Sequence, residues 1–253
     1  MISKTSAIVV RIRHWSQTSH MVTWLTPNHG LITTSVKGAC RPKSAFLGQY
    51  DLAYTCEMLY YTREYGGVHP LRECTPLQLR EPLRHNWRAG TAASYYCDMA
   101  ASVTLPMQDT SPIYHLLETA LDHACNHNPR IGHLLAYEIS MLHHLGLQPD
   151  LTPCPTCHTP DLKWIRFSLA SGRILCAHAS PVALTEPAIT LHRDVIAAIR
   201  ATPTTTNEWQ LPSDDNIALG IRRFLGMFIR YHLDLSVAAR RVAYELLSAA
   251  NQQ

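Results

Sequence analysis

Ala7-Ile8-Val9-Val10-Arg11-Ile12-Arg13, followed by His20-Met21-Val22-Thr23-Trp24-Leu25-Thr26 and Leu31-Ile32-Thr33-Thr34-Ser35-Val36, decides how this chain begins. These runs are rich in β-branched residues and alternate between apolar and polar, the pattern of strands with one buried face. Asn28-His29-Gly30 between the second and third supplies a turn residue able to take positive φ. A fourth run, Gln49 to Tyr61, is rich in Tyr, Leu and Thr, and a short fifth, Val68 to Cys74, follows Gly66-Gly67. Five short strands with hairpin turns and few helical signals predict a small closed barrel, and five is the strand number of an OB fold.

From Pro82 the period changes. Leu83–Leu105, Ile113–Cys125 and Ile131–Leu145 carry apolar residues three and four apart, which predicts helices, the last stopping at Gly146. Thr152 to Pro181 interrupts this pattern with Pro, Cys, Gly and His; helices resume at Leu191–Ala201, Asp214–His232 and Ser236–Ala250, with Ser236 as an N-cap. The expected class is α+β: a barrel domain over 1–80, then a mostly helical domain over 81–253 with an insertion at about 151–181.

The 253 residues are 46% hydrophobic and 16% charged, a composition of well-folded globular chains. No apolar run reaches the length of a membrane span, and Met1-Ile2-Ser3-Lys4-Thr5-Ser6 lacks the h-region of a signal peptide. Cys40, Cys56, Cys74, Cys97 and Cys125 are scattered singly, as core cysteines of a reducing compartment are. A cytoplasmic location is expected. Charge is divided along the chain: residues 1–90 hold eleven Lys/Arg against five Asp/Glu, residues 91–160 one against six, and residues 161–253 ten against eight. The basic first block points to a polyanionic partner.

Within that block, Val36-Lys37-Gly38-Ala39-Cys40-Arg41-Pro42-Lys43-Ser44 directly follows the third strand. Lys37, Arg41 and Lys43 can neutralise phosphate, Gly38 lets backbone N–H groups approach, and Ser44 can donate a hydrogen bond; the competing reading of the same residues is an ordinary solvated loop. Arg11 and Arg13, at i and i+2 of the first strand, share a face. Trp15 and Trp24 are either base-stacking residues or, as is commoner for Trp in a small barrel, core.

A second cluster is Cys154-Pro155-Thr156-Cys157-His158 and, eighteen residues later, Cys176-Ala177-His178. A zinc ribbon reads C-x2-C, a spacer of this length, then C-x2-C. Three of those four ligands are present, Ala179 stands in the fourth position, and His178 beside it is the candidate replacement, with His158, crowded against Cys157, a second. The expected metal set is Cys154, Cys157, Cys176 and His178 around Zn2+, against a degenerate site held by packing alone. His115, His123, His127 and the pair His143-His144 fall on helices without an H-E-x-x-H or another ligand order, and read as surface residues. Nucleotide-binding glycine motifs and the G-x-S-x-G of hydrolases are absent from the sequence, so enzyme chemistry finds no support.

The N-terminal register resembles the RecO family of bacterial recombination-repair proteins, in Ala7-Ile8-Val9-Val10-Arg11, Thr18-Ser19, Leu25-Thr26, Gly30, Lys37-Gly38, Arg41-Pro42-Lys43-Ser44 and Leu47. Cys154, Cys157, Gly172 and Cys176 sit where many members carry a four-cysteine zinc finger. Ile221-Arg222-Arg223-Phe224-Leu225, Tyr231-His232-Leu233, Leu235-Ser236 and Arg240 look like the family's last helices. Gln17 and Ala179 depart from it, standing where the family has Glu and Cys. The resemblance implies a non-enzymatic mediator of the RecF pathway, associated with the nucleoid. Such a protein binds single- and double-stranded DNA, anneals complementary strands and helps load recombinase on strands covered by single-strand DNA-binding protein (SSB). The implied partners are RecR and the acidic C-terminal tail of SSB. Arg130, the single cation of the acidic block, and Arg222, Arg223 and Arg230 are candidates for holding that tail. The competing reading is an OB-fold and zinc-ribbon protein that binds structured RNA or serves as a scaffold.

Overall fold

A computed structural model describes residues 1–63, 67–153, 163–176, 185–202, 214–233 and 238–249. Five strands, β1 (Ile2–Ser16), β2 (Ser19–Thr26), β3 (Gly30–Val36), β4 (Thr55–Tyr61) and β5 (Val68–Gln78), close into a barrel in the order β1-β2-β3-β5-β4. All neighbours are antiparallel except β3 and β5, which run parallel from Thr33↔Val68 to Ser35↔Pro70. The expected barrel is therefore present, with longer first and fifth strands than alternation alone marks. The fourth begins later, because 49–54 are spent in turns.

The barrel core is set by the inward face of each strand: Ala7 and Val9 from β1, Val22 and Trp24 from β2, Ile32 and Val36 from β3, with Cys56, Met58, Leu71 and Cys74 opposite. Trp24 is fully buried and donates its indole N–H to Thr34 Oγ1 at 2.8 Å. It is core and cannot stack on a base, whereas Trp15 is 71% exposed. A register shift between Val9 and Arg11 marks a bulge in β1, past which Ile12 again packs against the core.

The outer face of β1 is also covered, so Ile8 and Val10 are buried. The covering element is α2 (Trp87–Val103), which follows the one-turn α1 (Pro82–His85). Asn86 caps α2 by accepting hydrogen bonds from Arg88 and Ala89 N–H. Its buried face carries Ala89, Ala92, Ala93, Ala100 and Ala101, small residues that admit close approach. α3 (Ser111–Asn126) follows. Gly30 has φ +64 and an added Cβ would lie 2.1 Å from the carbonyl oxygen of Leu105, so only glycine fits this turn against the α2–α3 connection.

The chain divides into two compact units, Met1–Pro129 with the end from Glu245, and Arg130–Tyr244. The first three helices thus belong with the barrel in packing. The second unit contains α4 (Ile131–His144), α5 (Arg193–Ala201), α6 (Asp215–Leu233) and the start of α7 (Ala238–Ala249). It also holds a three-stranded sheet, β7-β6-β8, from Trp164–Ser168 (β6), Arg173–Leu175 (β7) and Ala188–His192 (β8). Two of its strands, β6 and β7, fall inside the stretch expected to be irregular, and β8 overlaps the first residues of the helix expected from Leu191. Phe167 of β6 meets Phe224 and Phe228 of α6 at ring-centroid distances of 5.1 and 5.9 Å in the core of this unit.

Candidate nucleic-acid interface

Hydrogen-bond register places the ends of three strands in one row. His14 pairs with His20 across β1 and β2, and His20 pairs with Val36 across β2 and β3. The chain leaves the barrel at Lys37 from that same end. It is held there by Gly38 N–H donating to Ser19 Oγ at 3.4 Å and Cys40 N–H donating to the Thr18 carbonyl at 3.2 Å. Successive turns continue it: Arg41 N–H to Gly38 O, Ser44 N–H to Arg41 O, Leu47 N–H to Ser44 O and Gln49 N–H to Phe46 O, all at 3.0–3.2 Å. Gly38, at φ +71, permits the first of these turns. The basic loop is thus a fixed scaffold with Lys37, Arg41 and Lys43 exposed and Ser44 half-buried.

Ion pairing divides the cations of the first block. Lys4 pairs with Glu57, Arg11 with Asp98, Arg72 with Glu73, Arg80 with Asp122 and Arg84 with Asp51, at 2.6–3.1 Å. Arg13, Lys37, Arg41 and Lys43 have no carboxylate partner among the described residues, and all four lie at the loop end of the barrel. Trp15 is exposed at this end too. Arg11 and Arg13 do share a strand face, but they differ in state. Arg11 is bound to α2 through Asp98 at 3.0 Å, while Arg13 is exposed and has no such partner among the described residues.

Between β1, the 37–52 loop and the first two helices lies a groove of ≈ 700 Å³. Its walls include Ile12, Phe46, Leu47 and Tyr50, and its charges cancel in pairs, Arg11 with Asp98 and Arg84 with Asp51. Arg84 also donates to the Tyr54 hydroxyl at 2.6 Å and lies over that ring. A neutral, partly apolar groove beside cations that have no carboxylate partner among the described residues is suited to bases next to a backbone track.

Sequence reading missed a further arrangement at this end. Cys40 is exposed, unlike the core thiols Cys56, Cys74 and Cys97, and its Sγ lies 3.2 Å from His20 Nε2. His20 Nδ1 is 2.8 Å from the Tyr50 hydroxyl, and the His14 and His20 rings meet edge-on at 4.7 Å. Burial, and secondarily His14, lowers the His20 pKa below its ordinary value. The available signal was positional: hairpin pairing puts residues 14 and 20 opposite each other, and the loop turns residue 40 back on them.

Of the expected zinc set, Cys154, Cys157 and His178 lie outside the described residues; Cys176, just past β7, is half-buried. Of the tail-binding candidates, Arg130, Arg223 and Arg230 are exposed, while Arg222 is half-buried with its guanidinium 4.8 Å from the Tyr244 ring centroid. None of the four lines the hollow of ≈ 370 Å³ in the second unit, whose walls are Ile139, Leu142, Leu151, Ile199 and Leu225 with Arg200 and Asp150 at the polar side.

Comparison with known proteins agrees with this architecture. The family pattern "Recombination protein O N terminal" matches residues 1–80, and "Recombination protein O C terminal" matches 84–241. The chain is 29% identical over 179 residues to the DNA repair protein RecO of Alkaliphilus metalliredigens, covering 70% of this chain and 71% of that one. It is 25% identical over 251 residues to the protein of the same name from Anaeromyxobacter dehalogenans, covering 96% of both. Both halves matching in order, over a five-stranded barrel and a helical continuation, establish that this chain belongs to the RecO family of DNA repair proteins.

Proposed function

We propose that this chain is a non-enzymatic mediator of DNA repair and recombination in the bacterial cytoplasm. It binds single- and double-stranded DNA at the loop end of its barrel and anneals complementary strands. The observation that carries this reading is the segregation of cations: five of the eleven in the basic block form internal ion pairs, whereas Arg13, Lys37, Arg41 and Lys43, without carboxylate partners among the described residues, share one exposed edge. Annealing needs no nucleophile. It needs a surface that offsets the repulsion of two phosphate backbones while leaving the bases accessible. Lys37, Arg41, Lys43 and Arg13 supply the first, with the Ser44 hydroxyl as a further donor to phosphate; Trp15 and the groove wall are placed for the second.

The family relationship supports the finer part of the proposal. The protein helps recombinase onto SSB-covered strands in partnership with RecR, and the acidic SSB tail is a natural occupant of the apolar hollow bordered by Arg200.

The DNA assignment is tested by changing Lys37, Arg41 and Lys43 together to Ala and titrating oligonucleotide binding against salt. Loss of three phosphate contacts should flatten the log–log salt slope for single strands by about 2, with annealing slowed in parallel. Unchanged affinity and slope would remove the loop from the interface. A folded RNA that displaces single-stranded DNA at equal concentration would instead favour an RNA-binding protein on the same barrel.

A further inference from the structure

The structure assigns a metal site to this chain, formed by His14, His20 and Cys40 at the barrel end, suited to a single Zn2+ ion. One donor atom from each residue lies within 4.8 Å of the others, with Cys40 Sγ and His20 Nε2 already at 3.2 Å. Zinc bonds of about 2.0–2.1 Å to imidazole and about 2.3 Å to thiolate put tetrahedral ligand atoms about 3.3–3.6 Å apart. Side-chain rotation alone closes that difference, because the backbone is already in position.

Three features favour a binding site over a chance gathering. The two histidines are direct cross-strand partners on a hairpin, so their separation is fixed by sheet geometry. Cys40 is fixed independently by its amide bond to the Thr18 carbonyl. The Tyr50 hydroxyl lies 2.8 Å from His20 Nδ1, and with Nδ1–H donating to it the Nε2 lone pair is turned toward Cys40. A partner of this kind on the far nitrogen of a metal-binding histidine sets its tautomer and orientation. Two imidazole nitrogens and one thiolate sulfur form a borderline-soft donor set that matches Zn2+ and excludes the hard cations that require oxygen ligands.

Water completes the fourth position. Binding releases the Cys40 thiol proton, so one dipositive ion for one proton raises the local charge by one, beside Lys37 and Arg41. His14 and Cys40 are exposed, so the ion is exchangeable. The assignment stands apart from the expected ribbon at Cys154, Cys157, Cys176 and His178, and apart from the DNA reading.

Cobalt(II) reports it, since a thiolate ligand gives a near-ultraviolet charge-transfer band that histidine alone does not. In the full chain carrying Cys154→Ser and Cys157→Ser, one Co2+ should bind with that band and be displaced by Zn2+. Adding Cys40→Ser should abolish the band, and His20→Ala should weaken binding by at least about tenfold, with the metal-free circular dichroism unchanged. If the double-serine background fails to fold, the comparison is made in the otherwise unaltered chain, where Cys40→Ser should cost one equivalent of Co2+. A thiolate band that survives Cys40→Ser in the double-serine chain, or an equivalent count unaltered by Cys40→Ser in the natural one, overturns the assignment. So does absence of Co2+ binding by the folded double-serine protein.

Discussion

At the residue scale, the same side chain type has opposite uses within one block. Arg80 counts toward the basic excess of residues 1–90, yet its side chain is 1% exposed. It donates to Asp122 Oδ1 at 2.8 Å, the Ala53 carbonyl at 2.7 Å, Thr55 Oγ1 at 2.9 Å and Gln78 Oε1 at 2.9 Å. A guanidinium can fill such a place because its planar fork reaches several acceptors at once. Replacement by Met leaves a buried carbonyl and hydroxyl without their donor, and we expect Arg80→Met to lower unfolding stability by about 2–4 kcal/mol, read as the urea midpoint. A loss under about 1 kcal/mol would mean that water substitutes for the guanidinium. Composition cannot distinguish Arg80 from Arg41, since nothing in either residue's neighbours in sequence reports burial. Gly30 was legible, because a glycine ending a two-strand turn signals positive φ; that its α-hydrogen faces the Leu105 carbonyl was not.

At the element scale, strands of the barrel were legible because alternation follows from having one buried face. The sheet β7-β6-β8 was not: its strands are three to five residues long and sit among Pro, Gly and Cys signals that read as loop. Helices of the second unit were visible from periodicity, but which faces meet was not. At one such meeting α4, α5 and α6 contribute Ile139, Leu142, Ile199 and Leu225 to the hollow beside Arg200. An apolar pocket rimmed by one cation fits a peptide that combines acidic residues with an apolar end. Asp150 stands on the same rim, but the Thr152 hydroxyl and amide bond its carboxylate and hold its pKa below the ordinary value. We expect Arg200→Ala to weaken binding of a fluorescent SSB tail peptide at least about tenfold, the effect of removing a central arginine anchor. Arg223→Ala and Arg230→Ala, which alter exposed cations away from the hollow, serve as controls. Equal losses in all three would indicate a diffuse electrostatic attraction with no seat.

At the scale of the whole molecule, charge blocks along the sequence overstate the contrast that the folded chain presents. The acidic stretch from 91 to 160 donates Asp98 and Asp122 to the basic stretch, so folding cancels part of the contrast that the sequence displays. Histidine chemistry shows a comparable pooling. His69, His123 and His144 each have pKa values below the ordinary 6.5, first because of burial, then because of Arg63, His127 and His143 respectively. His123 and His127 stack at 4.2 Å, one turn apart on α3 and at its end, so charging both is opposed. For a group whose folded pKa is depressed, the unfolded chain binds more protons. Its stabilisation is complete above the unfolded value near 6.5 and is lost as pH falls from there through the lower folded values. All three groups act in the same direction in the same window, whereas Asp150, also depressed, loses its contribution only below its ordinary value of 3.8. The urea midpoint should therefore be level between about pH 8 and 7 and decline by about pH 5.5, well above the range where carboxylates titrate. His123→Gln should remove part of that decline. A midpoint constant down to about pH 5 would show that these imidazoles open to water on protonation without cost, and that the folded state tolerates the charge its burial opposes.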